Sequence, residues 1–371
     1  MKRKFSLQKL LQSNFTLTFI AILFAFLVGG IFLQCIGINP FTAYGKLLQS
    51  AFSTAKSMSY CVVYGTPLIF TGLSVAFSFR TGVFNIGAEG QFVVGSMAAC
   101  VVGILVPAPS VILIPLCFLA AAAAGALWGL VVGVLKTKWG INEVLSMIMF
   151  NWIAFYLSNF IAGIPAIHSD GTAEATKNIS ANASTLLSKE FISQFKLCPT
   201  ANWGILVAIV LTVVVWLIID KTTLGYRLKA VGFNKSAAEY GGINVNRSIL
   251  TALAISGALA GLGGALQLMG MGSRISVFSS QEGFGFAGIV VALMGCSNPF
   301  GVFAAGLFYG ALIYGGSKLN LVGAPTQLVN VIVGTVVLFI AISVIFERIK
   351  YIQPRGRRKT ASVQDGKEES K

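Results

Sequence analysis

From Glu89 to Lys136 the chain reads EGQFVVGSMAACVVGILVPAPSVILIPLCFLAAAAAGALWGLVVGVLK, with 46 uncharged residues between the two charges. As one helix this run would be about 69 Å long, roughly twice the thickness of a bilayer's hydrocarbon core. It must fold back on itself. Pro107-Ala108-Pro109 marks the turn, because proline removes backbone donors and stops a helix.

Similar charge-free runs lie on both sides of this hairpin: Lys9 to Lys46, Lys56 to Arg80, Glu143 to Asp170, Arg247 to Arg274, Glu282 to Lys318 and Lys318 to Glu347. Each exceeds the roughly 20 residues a helix needs to cross a bilayer. Of the 371 residues 56% are hydrophobic and 11% charged, whereas a soluble domain carries about 25% charged residues. The reading is an all-α, polytopic membrane helix bundle of about ten transmembrane helices. They are placed at 15–38, 58–79, 84–105, 110–135, 144–164, 203–219, 249–271, 284–297, 300–317 and 326–346. The run from Glu282 to Lys318 is interrupted at Ser297-Asn298-Pro299, and its 35 residues give only about 52 Å of helix. Its two helices are expected to be short or partly re-entrant.

Ten crossings put both termini on one side. With the termini in the cytoplasm, 20 Lys and Arg fall inside and 7 outside, as the positive-inside bias requires. This orientation makes 1–14 a cytoplasmic N-terminus, 220–248 a cytoplasmic loop, 165–202 an extracytoplasmic loop, and 347–371 a basic cytoplasmic tail expected to be disordered. The first apolar stretch follows Lys2-Arg3-Lys4 and is read as a retained span, being too long for a secretion signal and lacking a small-residue cleavage site. The net charge of +15 is then mostly a topology signal, with attraction to anionic membrane lipid as its second consequence; no nucleic acid is implied.

The chemistry for catalysis is missing. His168 is the single histidine, and the six cysteines are scattered without metal-ligand or disulfide spacing. Gly283-Phe-Gly-Phe-Ala-Gly288 matches a dinucleotide fingerprint by letters, but it leads into a membrane span and reads as helix packing. Gly310 to Lys318 resembles a phosphate loop, yet Gly316 stands where the lysine should be. The chain is therefore read as a non-enzyme without metal or cofactor that does not bind ATP itself. Glycines at helix-contact spacing, Gly125/Gly129/Gly133, Gly257/Gly261 and Gly306/Gly310, predict a tightly packed bundle.

Two segments stand out. In Arg80-Thr-Gly-Val-Phe-Asn85-Ile-Gly-Ala-Glu89-Gly-Gln91, a carboxylate and two amides interrupt a membrane segment. A charge at this depth is costly and points to function; alternatively Asn85 and Glu89 cap a broken helix and Arg80 pairs with Glu89. In the loop from Asp220 to Arg247, Asn234 or Ser236 can cap a short helix over Ala237 to Tyr240, stopped by Gly241-Gly242. Lying along the membrane, that helix would offer Ala and Tyr to a soluble partner. Asn142 and Glu143 read as the cap of the fifth span.

Asn85-Ile-Gly-Ala-Glu-Gly-Gln91, Gly232-Phe-Asn-Lys-Ser-Ala-Ala-Glu-Tyr-Gly-Gly-Ile243 with Ser256-Gly-Ala-Leu-Ala-Gly261, and Gly295-Cys-Ser-Asn-Pro-Phe-Gly301 occur in that order. Together they resemble permeases of ATP-binding-cassette importers of the branched-chain amino acid and simple-sugar group, most of all the longer permease of the nucleoside subset. Family proteins usually have another residue at the position of Cys296. The resemblance implies a passage for nucleosides or simple sugars shared with a second, shorter permease, two cytoplasmic ATPase subunits that use ATP and magnesium, and an extracytoplasmic binding protein that could meet the long outer loop. It also makes 220–248 the coupling loop, with Gly232, Asn234, Ala237, Ala238, Tyr240, Gly241, Gly242 and Ile243 as its ATPase-coupling residues. Intramembrane groups able to meet substrate are Asn85, Glu89, Gln91, Asn151, Gln267 and Asn330, with Trp152 available to stack, although bonding between helices is the commoner use of such groups. The rival is an ion-coupled secondary transporter, for which Glu89, the one carboxylate placed within a span, is sparse equipment. An intramembrane enzyme would need facing aspartates, and Asp170, Asp220 and Asp365 all lie outside the spans.

Overall fold

A computed structural model describes residues 14–339, apart from 172, 173, 326, 333, 336 and 337. Its helices are α1 (Asn14–Cys35), α2 (Pro40–Phe52), α3 (Ala55–Phe79), α4 (Ala88–Leu105), α5 (Ser110–Trp139), α6 (Glu143–Ala162), α7 (Lys189–Gln194), α8 (Gly204–Lys221), α9 (Thr223–Phe233), α10 (Lys235–Tyr240), α11 (Val245–Gln267), α12 (Phe284–Met294) and α13 (Pro299–Ser317). Among the described residues no strand forms beyond three isolated bridges. Among the described residues seven helices are long and apolar enough to cross a membrane: α3, α4, α5, α6, α8, α11 with the turn that extends it to Gly272, and α13. Ile20–Cys35 and α12 are shorter apolar helices. The expected tenth span, 326–346, starts with a helical turn at Leu328 and then runs mostly outside the described residues, as do 1–13 and the tail.

Local chemistry sets most helix starts. Asn39 accepts the Phe41 amide ahead of α2 (2.9 Å), Thr54 that of Ser57 in α3 (3.1 Å), Asn142 that of Val144 in α6 (2.9 Å) and Asn244 that of Arg247 in α11 (2.9 Å). Each side chain satisfies an amide that the helix leaves without a partner. The expected Asn142 cap is thus in place.

The centre is α3. Of its most apolar stretch 83% is buried, against 22% in α5, so α5 lies at the rim of the bundle. Small residues bring the backbones together: a Cβ on Gly257 would fall 2.2 Å from the Gly125 carbonyl oxygen, and one on Gly310 2.4 Å from that of Cys61. These contacts bear out the tight packing expected from the glycine spacing and show which helices meet, α5 with α11 and α3 with α13.

Two expectations are corrected, and one helix is new. Span nine is a full-length helix of 19 residues, and only span eight, α12 with 11 residues, is short. The chain between α1 and α3 forms an additional amphipathic helix, α2, which buries Ala43, Leu47 and Ala51. The loop over 220–248 holds two helices, α9 and α10, where one was expected.

At the end of the bundle opposite that loop, the segment 163–203 is tied to the chain that follows α11. Thr176 donates its amide to the Ile275 carbonyl (2.8 Å), Ile179 to Ser273 (2.8 Å) and Thr185 to Met269 (3.1 Å), while Val277 donates to Glu174 (2.8 Å). Here α11 loosens into a π-turn, Leu268–Gly272, followed by Ser273 in the left-handed region at φ +51°.

Candidate midplane site and coupling face

Two helices begin in the interior without a cap of their own. Gly87 precedes α4 and Gly283 precedes α12, and glycine has no side chain with which to accept an amide. Their depth follows from α3. A Cβ on Gly288 would strike Thr71, which lies eight residues, or about 12 Å of helix, from the Phe79 end. One turn further back, α12 starts near the middle of the bundle. A Cβ on Gly285 would fall 2.1 Å from the Glu89 amide nitrogen, so the start of α4 meets it there.

Residues from elsewhere supply the missing caps. The Glu89 carboxylate accepts the Gly283 amide at Oε1 (2.7 Å) and the Gly285 amide at Oε2 (2.6 Å). A negative group at a helix N-terminus also meets the positive end of the helix dipole. Asn151, from α6, accepts the Gly90 amide at Oδ1 (2.8 Å) and donates from Nδ2 to the Ile86 carbonyl (3.1 Å), thereby capping α4. Phe92 and Phe284 stack beside this junction with ring centroids 5.0 Å apart.

Asn85 ties the same region to two more helices. Its Nδ2 donates to Gln91 Oε1 (2.8 Å) and Ser256 Oγ (2.6 Å), and at 3.4 Å to Ser74 Oγ. Ser256 in turn donates to the Ser74 carbonyl (2.7 Å). Asn85, Ser74 and Ser256 are wholly buried, and Glu89 and Gln91 are 1% exposed. In this conformation the polar atoms of Asn85, Gln91, Ser74 and Ser256 are spent on one another and those of Glu89 on the amides of α12, as buried groups require.

The structure thus gathers Asn85, Glu89, Gln91 and Asn151 into one junction and leaves the other three apart. Gln267 sits eleven residues beyond Ser256, about 16 Å further along α11, half-buried, and its buried Oε1 has no hydrogen-bond partner among the described residues. Trp152 is 45% exposed on the outer face of α6, stacked on Tyr156 and edge-on to Phe155. Asn330 is exposed on the last helical turn. Ser74 escaped the sequence reading because a lone serine inside a span carries no local signal; Ser256 was noted only as part of a motif.

Arg80 does not pair with Glu89. Its Nη2 donates to the Ser297 carbonyl (2.7 Å), in the turn between α12 and α13, where Cys296 and Ser297 both hold positive φ. Glu89 is already engaged by amides, so the arginine serves the far end of the same half-helix.

The loop over 220–248 presses on the turn between α3 and α4, at Arg80. A Cβ on Gly232, near the end of α9, would fall 2.2 Å from the Arg80 carbonyl oxygen. Asn234 caps α10 by accepting the Ala237 amide (3.0 Å), as one of the two residues proposed for it, and Gly242 ends the turn at φ +80°. Ala238 is 5% exposed and points into the protein, contrary to the expectation that the alanines face outward. Phe233 at 90% and Tyr240 at 98% form the exposed part of the face, with Ala237 and Lys235 between them.

Comparison with known proteins agrees with this architecture. Residues 57–341 match the family described as "Branched-chain amino acid transport system / permease component". The chain is 35% identical over 352 residues to the guanosine ABC transporter permease protein NupP of Bacillus subtilis, covering 94% of this chain and 99% of that protein. It is 36% identical over 337 residues to the nucleoside ABC transporter permease protein NupB of Lactococcus lactis, covering 88% and 91%. The glucose ABC transporter permease protein TsgB13 of Haloferax volcanii is 32% identical over 336 residues, covering 89% and 88%. No solved structure matches the chain. This is a multi-pass protein of the cytoplasmic membrane, and it belongs to the permease-component family of branched-chain amino acid transport systems.

Proposed function

We propose that this chain forms, with a second and shorter permease, the transmembrane passage of an ATP-binding-cassette importer for nucleosides or simple sugars. The family and the named relatives support the class. The observation that carries the mechanism is the seat of Gly232 on the Arg80 carbonyl, closer than any side chain would allow.

ATPase subunits, which bind ATP and magnesium, dock from the cytoplasm on Gly232, Asn234, Ala237, Tyr240, Gly241, Gly242 and Ile243, with Ala238 as the inward pin of α10. When they close, α9 pushes on the Arg80 turn. Arg80 holds Ser297 at one end of α12, and the segment following Arg80 carries Glu89 to its other end. Displacement of the half-helix would part Asn85, Glu89, Gln91 and Asn151 and open their polar groups to substrate. Broken helices that meet at the midplane suit this use, because their backbone ends are ready partners for a polar solute. Gln267 and Asn330 would serve at other levels, and Trp152 would face the second permease. An extracytoplasmic binding protein would deliver substrate at 165–202, whose bonds to 269–277 link arrival to the same half-helix.

Copurification tests the docking face. Tyr240→Glu with Phe233→Glu should leave the permease in the membrane but lose the ATPase subunits, and full retention of those subunits would remove α9 and α10 from the mechanism.

A further inference from the structure

A stretch of chain without helix leads from one end of the bundle to its middle. Phe278 is held at the end that carries the 163–203 loop: Asn159 of α6 accepts its amide at Oδ1 (2.9 Å) and donates from Nδ2 to its carbonyl (3.0 Å), three residues before that helix ends. Gly283 is held near the middle of the bundle, where its amide reaches the Glu89 carboxylate (2.7 Å). Ser279, Ser280, Gln281 and Glu282 make the descent between these anchors, in neither helix nor strand. Five peptide steps span at most about 18 Å, enough to run from the membrane surface to its middle.

The descent is polar and open. Ser279, Ser280 and Glu282 are exposed, and Gln281 is half-buried. Among the described residues Ser279, Ser280 and Gln281 make no hydrogen bond through backbone or side chain, and the Glu282 carboxylate has neither a hydrogen bond nor an ion pair. Hydrocarbon cannot cover such a segment. Irregular backbone at membrane depth persists only inside protein or along a water-filled cavity, and an unpaired carboxylate against lipid is costly as well. The chain's own side chains leave the segment exposed, so it borders water. By run length Glu282 bounds a span; because α12 is short, Glu282 lies instead at the level of Glu89.

We propose that Ser279, Ser280, Gln281 and Glu282 form one wall of the passage from its outer mouth to the midplane, and that Glu282 selects solutes bearing two neighbouring hydroxyls. The proposal rests on the importer reading above and extends it to residues outside the junction. An ionised carboxylate only accepts, and its two oxygens can each take one hydroxyl of a ribose or hexose diol through a charge-assisted hydrogen bond. Ser279, Ser280 and the unpaired backbone groups offer further donors and acceptors along the way in. The same charge repels phosphate, so a nucleoside is admitted where a nucleotide is turned back.

The test uses proteoliposomes holding both permeases and the ATPase subunits, permeabilised so that reagent reaches both faces, in a Cys296→Ser background that clears the peptide following Arg274. Ser280→Cys should react with the membrane-impermeant cation trimethylammonioethyl methanethiosulfonate within a few-fold of the rate of Ser276→Cys. Leu119→Cys, on the rim of α5, should not react. Ser279→Cys replaces the first variant if that one fails to assemble. Guanosine, uridine and glucose are then added in turn without binding protein, and whichever the wild-type complex takes up in sealed vesicles should slow the labelling roughly ten-fold. The 2′,3′-dideoxy nucleosides, which lack the diol, should protect roughly ten-fold more weakly, and Glu282→Gln should weaken protection by the natural solute to a similar degree. No reaction at residues 279 and 280, as in a segment sealed beneath the second permease, or reaction indifferent to all three solutes, would overturn the wall while ATP-driven uptake by the wild type stands. Equal protection by the dideoxy nucleosides, or protection that survives Glu282→Gln, would overturn selection by Glu282. Absence of ATP-driven uptake of all three solutes would overturn the importer reading and this proposal together.

Discussion

Gly232 and the carbonyl oxygen of Arg80 touch so closely that even a methyl group on residue 232 would stand 2.2 Å from the oxygen. The oxygen belongs to backbone and cannot swing aside. Gly232→Val must therefore lift α9 off the turn between α3 and α4. ATP-driven uptake should fall at least ten-fold while the protein still reaches the membrane, as measured by vesicle transport and immunoblot of the same membranes. Unchanged uptake would show that the contact transmits nothing.

Glu89 holds the start of α12 through both carboxylate oxygens. Glu89→Gln keeps the shape but offers one acceptor oxygen, leaving an amide of the half-helix unpaired at a cost of about 1–3 kcal/mol. Hydrogen exchange of the Gly283 and Gly285 amides should accelerate by ten-fold or more, and exchange as slow as in wild type would deny Glu89 its capping role.

Asn85 and Ser256 share one buried network, so their losses should not add. Each alanine substitution should cost about 1–3 kcal/mol, and the pair less than the sum by about 0.5–3 kcal/mol. Thermal unfolding of the two single variants and the double variant measures the difference; strict additivity would mean that the 2.6 Å bond contributes little.

The α5–α11 seam has no room for a side chain at Gly257. Gly257→Leu should abolish accumulation in the membrane. Gly45→Ala, on a helix surface with nothing within 4 Å of the new methyl, should accumulate normally.

Much of this was legible because its causes are local. Apolar run length gave the seven helices of membrane length among the described residues, Asn142 and Asn234 announced their caps, and glycine spacing announced tight packing. The midplane junction was legible only in its members. Arg80 and Glu89 looked like partners because they are close in sequence and opposite in charge, but the carboxylate is satisfied by amides 194 and 196 residues away. No periodicity encodes that pairing. The helices α2 and α9 were missed for another reason: both are short and amphipathic, carrying Lys46 in one and Arg227 and Lys229 in the other, so hydropathy passes over them.

Energy coupling is the most direct test of the account. Guanosine uptake should be measured in right-side-out vesicles that contain this chain, either with its partner subunits and internal ATP or alone with an imposed proton or sodium gradient. The account predicts uptake only in the first case, lost without ATP and lost in Gly232→Val. Uptake by this chain alone, driven by the ion gradient and indifferent to ATP, would contradict it.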